Sequence, residues 1–292
     1  MKGCALLLIM LVLISAAVHA EPWTLSADVN LTATQSAYSD NWVGGEAGAL
    51  SWTFNSNWLA EKQLNSKLHT RNTLKLLFGQ THNQDVETKD WAKPVKSTDL
   101  IDFESVWRFT LGGIVDPYAG LRIESMFFDQ RDPELDRYVN PVKFTESVGI
   151  AKVFIKEEKR ELLTRLGAGI RQFLDRDRYD IVTDTRENYT SNDAGFIFDA
   201  EFKTPLAEEK ITYQSKLTVY QAFYYSERDA LAGLPEADYW KAPDVNWENI
   251  FTAGITEHLM VNLYIQLRYD KEIDLAGRLK QTLSLGITYK LL

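Results

Sequence analysis

The sequence predicts an all-β fold: a transmembrane antiparallel up-and-down β-barrel of about twelve strands, with short periplasmic turns and longer extracellular loops. Three observations predict it. The chain opens on an export segment, it alternates apolar and polar residues with period two almost to its end, and its connections are alternately long and short.

The first element is the export segment. Lys2 precedes an apolar run from Ala5 to Ile14, followed by Ser15, Ala16, Ala17, Val18, His19 and Ala20 in an A-x-A-like cleavage pattern. Such a run is a secretory signal peptide, too short for a membrane-spanning helix. Residues 1–20 are therefore expected to be removed, leaving 21–292 as one barrel. Cys4 lies at the front of the apolar run rather than at the cleavage site, against a lipoprotein. It is the single cysteine, so the mature chain is expected to lack disulfides, a thiolate nucleophile and a cysteine-ligated metal.

After Ala20 no apolar stretch approaches the roughly 18 residues of a transmembrane helix. The mean hydropathy of -0.26 is ordinary for a soluble protein. It is equally ordinary for a barrel whose lipid-facing and lumen-facing residues alternate, so periodicity has to decide. A net charge of -9 and a pI near 5.1 argue against nucleic acid, which calls for a basic stripe.

The strands follow in order. Ala27, Val29, Leu31 and Ala33 alternate with Asp28, Asn30 and Thr32. Leu50, Trp52, Phe54 and Trp58 oppose Ser51, Thr53, Asn55 and Asn57. Leu74, Leu76 and Phe78 oppose Arg71, Thr73 and Lys75, and Ile101, Phe103, Trp107 and Phe109 oppose Asp102, Glu104 and Arg108. Leu121, Ile123 and Phe127 face away from Arg122 and Glu124. Two glycine-containing runs, 144–156 and 162–173, have less clean faces. Phe196, Phe198, Ala200 and Phe202 oppose Asp199, Glu201 and Lys203; Ile211, Tyr213, Leu217 and Val219 oppose Gln214, Lys216 and Thr218. Trp247 and Phe251 mark the next strand. Val261, Leu263, Ile265 and Leu267 then oppose Asn262, Gln266 and Arg268, and the last run carries Leu283, Leu285, Ile287 and Tyr289.

Long polar connections are expected at 36–46, 82–98, 129–141, 175–192 and 226–244, with a shorter one at 271–277. Tight ones are expected at 61–65, 111–116, 157–160, 207–210 and 257–258. A barrel with both termini in the periplasm has this alternation and an even strand number. Aromatic residues gather at the strand ends, with Trp58, Trp107, Tyr118 and Tyr289 at one rim. Phe127, Phe173, Phe223, Trp247 and Tyr269 mark the other. Trp and Tyr suit a membrane interface because each has an apolar body and a polar handle. A soluble sandwich offers no reason for the loop alternation.

Ser284, Gly286, Tyr289 and Leu291 resemble the assembly signal of outer-membrane barrels, although the chain ends on Leu291-Leu292 rather than an aromatic residue. Asn41-Trp42-Val43-Gly44-Gly45, then Trp58, Asn72, Leu74 and Gly79, then Lys96-Ser97-Thr98-Asp99 resemble the DUF3078 family of bacterial envelope proteins. The resemblance covers roughly the first third and has no comparable marker after about residue 130. It implies a β-barrel and supplies no established activity, so no functional residue carries over.

Chemistry is sparse. His69 should point into the lumen beside Arg71, His82 opens a long loop, and His258 sits in a tight turn, a poor start for a metal site. A lipid-facing hydrolase would need Ser and His at matching heights on the outer wall, and no G-x-S-x-G elbow occurs. Gly44-Gly45 reads as a turn rather than a phosphate loop. No cofactor is expected.

The inward face is the informative feature. Arg71, Lys75, Asp102, Glu104, Arg108, Arg122, Glu124, Arg165, Asp199, Glu201, Lys203, Lys216, Glu248, Arg268 and Lys280 all fall on it, with no strand offering a single-sign ladder. They line a pore, or they fill the lumen with cross-strand ion pairs. Acidic loops at 175–193 and 227–244 could meet divalent cations bridging lipopolysaccharide, or simply keep those loops solvated.

The expectation is a non-enzymatic outer-membrane barrel, a small porin-like channel or a structural envelope component, of a Gram-negative cell. The alternatives are an outer-membrane lipid hydrolase and a soluble periplasmic lipid-binding β protein. The expected partners are outer-membrane lipid, lipopolysaccharide and the barrel-assembly machinery, with no solute specified.

Overall fold

The structure is a computed structural model that describes residues 22–39, 47–132, 135–180, 183–256 and 258–290. The export segment, the Asn41–Gly45 motif and Leu291 of the terminal signal lie outside them.

Strands appear where the alternation places them. They are β1 (Thr24–Ser36), β2 (Ala49–Asn65), β3 (Leu68–Asn83), β4 (Val95–Phe109), β5 (Asp116–Ser125), β6 (Phe128–Asp129), β7 (Arg137–Tyr138), β8 (Val142–Lys156), β9 (Glu161–Asp180), β10 (Thr185–Leu206), β11 (Ile211–Tyr225), β12 (Asp244–Gly254), β13 (Leu259–Asp270) and β14 (Asp274–Lys290). All but β6 and β7 form one closed barrel. Each strand pairs antiparallel with its neighbours in the chain, and β1 pairs with β14 to close the ring. β6 and β7 form a small separate ribbon in the β5–β8 connection.

Closure removes the edges of the main sheet, leaving it two faces. The outer face is apolar: Leu279, Leu283, Leu285 and Ile287 of β14 are all exposed, as are Val148, Ile150, Leu166 and Phe196. The interior is polar, and Arg165, Asp199 and Thr145 are among its buried residues. The inside–outside order is therefore inverted relative to a soluble protein, the arrangement of a barrel that meets lipid. At the seam, Gly286 lies opposite Thr32, where an added Cβ would sit 2.5 Å from the Thr32 methyl.

The structure corrects several boundaries. The 175–192 stretch is not a loop, because β9 runs on to Asp180 and β10 resumes at Thr185, with Thr185 opposite Asp180 and Glu187 opposite Arg178. A hairpin standing clear of the apolar band has both faces in water, so its polar sequence hides the strand pattern. For the same reason β14 begins at Asp274, inside the expected 271–277 loop. Residues 61–65 belong to β2; the turn falls at Ser66–Lys67, where Asn65 Oδ1 accepts from the Lys67 amide at 2.9 Å. Two expected rim aromatics face inward. Tyr118 is buried in the lumen, and Phe173 shares the parity of Arg171.

Candidate functional site: the ion-paired lumen

Strand parity delivers the charges to the interior, and barrel closure brings distant strands face to face. Arg165 of β9 stands at the centre. Its Nη2 lies 2.6 Å from Glu104 Oε1 on β4, 3.2 Å from Glu201 Oε1 and 3.4 Å from Asp199 Oδ2 on β10. Lys216 of β11 reaches the other Glu104 oxygen at 2.7 Å. In ring order β11 and β4 are nearly diametrically opposed, so the Lys216–Glu104 bridge spans the lumen. Lys75 of β3 makes a second strut to Glu248 of β12 at 2.7 Å.

Smaller pairs fill the spaces. Arg122 grips Asp102 through two 2.8 Å hydrogen bonds, and Lys143 meets Glu124 at 2.9 Å. Arg71 lies 3.5 Å from Glu161, and Arg108 lies 3.7 Å from Asp116. Toward the long-loop end, Arg171 joins Asp193 at 2.8 Å and Asp244 at 2.6 Å. Paired charges in a low-dielectric, partly dehydrated interior stay in place only when nearly every hydrogen-bonding group is engaged.

Two tyrosines hold this lattice against one wall. The Arg171 guanidinium lies 3.6 Å from the centre of the Tyr220 ring, and Arg165 lies 5.8 Å from that of Tyr118. Both rings need bare backbone behind them. A Cβ on Gly195 would sit 2.6 Å from the Tyr220 ring, and one on Gly167 would sit 2.9 Å from the Tyr118 hydroxyl. This is why glycine interrupts the alternation in these runs.

The lattice divides the lumen. A cavity of about 380 Å³ lies on the short-turn side, reaching from His69 and Glu61 up to Glu104, Arg165 and Lys216. A space of about 50 Å³ lies beyond it, bounded by Glu104, Arg122, Glu124, Asp199 and Tyr220. Glu104 lines both, so the ion pairs around it form a septum.

Of the fifteen charges read from parity, Arg71, Lys75, Asp102, Glu104, Arg108, Arg165, Glu201, Lys203, Lys216 and Glu248 line the larger cavity. Arg122, Glu124 and Asp199 line the smaller space. Lys280 stands level with Glu248 of the second strut, with Gln266 between them, and Arg268 lies two residues further toward the long-loop mouth. Sequence reasoning missed Lys143, Arg171, Asp193 and Asp244, which lie in the glycine-broken runs or at strand ends. It also missed an apolar collar in the larger cavity that includes Leu59, Val106, Val153, Leu163 and Ile250. Reading each run strictly by parity would have found both sets. His69 bonds Glu61 at 2.8 Å, and His258 stacks on Tyr289. Among the described residues no group of His, Cys, Asp and Glu is arranged to hold a metal.

No curated protein sequence matches this chain. Among solved structures it is similar to the COG4313 outer membrane channel from Pseudomonas putida F1, at 14% identity and a TM-score of 0.42, over 95% of this chain and 98% of that one. It is also similar to the translocator domain of autotransporter NalP from Neisseria meningitidis, at 8% identity and a TM-score of 0.38, over 91% and 87%. A third likeness is Pseudomonas aeruginosa OccK7, at 9% identity and a TM-score of 0.26, over 92% and 99%. Residues 33–130, which run from late β1 to the end of the β6 ribbon strand, match the model of DUF3078, a family described as protein of unknown function.

Proposed function

We propose that this protein is an outer-membrane barrel acting as a narrow, charge-lined channel, with no hydrolytic activity of its own. The observation that carries the reading is the septum: Lys216–Glu104 and Lys75–Glu248 bridge strands on opposite sides of the ring, with a cavity of about 380 Å³ on one side and a space of about 50 Å³ on the other. The short turns face the periplasm and the long connections face outward, so the larger cavity is a periplasmic vestibule. A lumen braced by mixed charges passes small hydrated solutes and excludes bulky ones. The cavity of about 380 Å³ supports transport over a purely structural role, because a barrel built only as a wall can fill its interior with side chains.

Planar-bilayer recording tests this reading. The refolded wild type should give small unitary conductance steps. Removing one strut without leaving a lone charge, with Glu104→Gln and Lys216→Gln together, should enlarge the steps severalfold. Absence of conductance in both proteins overturns the channel reading. In parallel, the barrel should leave phospholipids and esters intact; turnover lost on replacing His69 would favour the hydrolase instead.

A further inference from the structure

The lumen arginines of the septum are matched by carboxylates. The β13–β14 wall is different. Register sets Arg268 directly opposite Arg278, and Gln266 opposite Lys280. Directly opposed side chains have Cβ atoms about 4.5–5.5 Å apart, and like charges there are destabilising. Arg278 and Lys280 are two residues apart on one strand and so share a face. That face is the lumen, because Lys280 Nζ donates to Thr98 Oγ1 of β4 at 3.1 Å across the interior.

Among the described residues no carboxylate lies within 4.0 Å of these three cations. Arg278 Nε and Nη2 are sealed from solvent and have no hydrogen-bond partner. Leaving a buried donor unsatisfied costs about 1–3 kcal/mol, more for a charged group. Asp270 and Asp274 face each other one step further toward the loops, where Asp270 Oδ1 accepts from the Glu272 amide at 3.1 Å and Asp274 Oδ1 from the Ala276 amide at 2.8 Å. Arg278 therefore has two sealed, unpartnered N–H groups, against the single Nε of Arg71 and of Arg165 in the septum, and it shares its wall with two further cations.

We infer that Arg268, Arg278 and Lys280 form an anion-binding site for a small multivalent oxyanion of the phosphate type, on the β13–β14 wall of the lumen. Two guanidinium forks and an ammonium share one face, and a tetrahedral dianion has enough acceptor lone pairs to meet all three, whereas a single carboxylate meets one fork. The transport consequence, that the channel prefers anions, rests on the channel reading; the binding site does not.

Calorimetric titration of the detergent-refolded barrel with inorganic phosphate tests the site, with acetate as the monovalent comparison. Wild type should bind phosphate more tightly than acetate. Arg278→Gln with Lys280→Gln should weaken phosphate binding by about tenfold or more, the effect of losing one charge-assisted hydrogen bond or more. Lys67→Gln, which removes one charge at the opposite end of the barrel, should leave binding unchanged. Retarded gel migration before heating would show that the double variant misfolds, and Lys280→Gln alone then gives the same readout. Equal binding by wild type and variant overturns the site. Reversal potentials in a KCl gradient form the second arm. Wild type should favour chloride, and the variant should move toward potassium. Conductance without phosphate binding or anion preference defeats this inference and leaves the channel standing. Phosphate binding lost in the variant, with no conductance in any protein, defeats the channel and leaves the site.

Discussion

Asp129 and Asp175 are buried carboxylates in the long-loop region, and a small set of donors holds both. Arg137 donates to Asp129 Oδ2 at 2.6 Å and to Asp175 Oδ1 at 2.9 Å. Asn140 bridges the same two acids, and Arg131 adds a forked contact to Asp129. The cluster ties the β5–β8 connection, with its β6–β7 ribbon, to the upper part of β9. Burial opposes ionisation of Asp129, but the Arg131 and Arg137 contacts outweigh it and hold its pKa down to about 2. A carboxyl whose folded value lies below its unfolded 3.8 stabilises the folded loop at higher pH, and that stability is lost as pH falls toward 2. Limited proteolysis should therefore find the 126–141 segment protected from neutral pH down to about pH 4. Arg137→Met strips the shared cation from two buried acids, a change that costs about 3–5 kcal/mol when a buried pair is broken. Trypsin should then nick the loop at Arg131 at neutral pH while the barrel stays intact on a cold gel. A loop as resistant as wild type would show that the cluster does not pin it.

At the scale of elements, β8 and β9 pair through glycines placed face to face. Gly149 lies opposite Gly167, and an added Cβ on either would fall 2.2 or 2.3 Å from the carbonyl oxygen of Leu166 or Val148. Backbone cannot yield as a side chain can, so Gly149→Ala and Gly167→Ala should each destabilise by about 1–3 kcal/mol or more, the range for forced overpacking. Gly277→Ala, where a Cβ meets nothing within 4 Å, should be close to neutral. Urea midpoints of the heat-modifiable gel band give the comparison, and equal midpoints for all three would refute the close approach. The same glycines explain why runs 144–156 and 162–173 read poorly by alternation. Their inward positions are emptied to seat Tyr118 against the wall, so polarity alone no longer marks the lumen face.

Across the whole molecule, the two faces of each barrel strand meet different solvents within the apolar band. Ile265 faces outward and lies opposite Asn249 and Gln281, whereas Gln266 faces inward, where its amide donates to Asn246 Oδ1 at 2.8 Å. Ile265→Arg should hinder insertion, since a cation near the bilayer midplane of a barrel costs about 2–4 kcal/mol. Gln266→Arg should be tolerated, with Arg268 already on that face. Cysteine at 265 should react with a lipid-soluble reagent only, and cysteine at 266 with a water-soluble reagent only. A one-residue slip in register exchanges the two results. Folded protein should also fractionate with the outer membrane, and recovery from the soluble periplasm would end the membrane reading.

The sequence by itself determined the all-β class, the strand number and the parity that sends Arg71, Glu104, Arg165, Glu201 and Lys216 inward. These follow from a period-two pattern repeated along the chain, and such a pattern needs no knowledge of which strands meet. Tertiary structure alone decided the rest. Strands that project beyond the apolar band have water on both faces, so nothing in their composition marks where β9, β10 and β14 extend. Which charges pair across the lumen depends on shear and closure. These bring Lys75 to Glu248 across 173 residues, yet leave Arg268 facing Arg278 with no acid between them. Parity states which side of the wall a charge occupies; only the closed barrel states what stands opposite it.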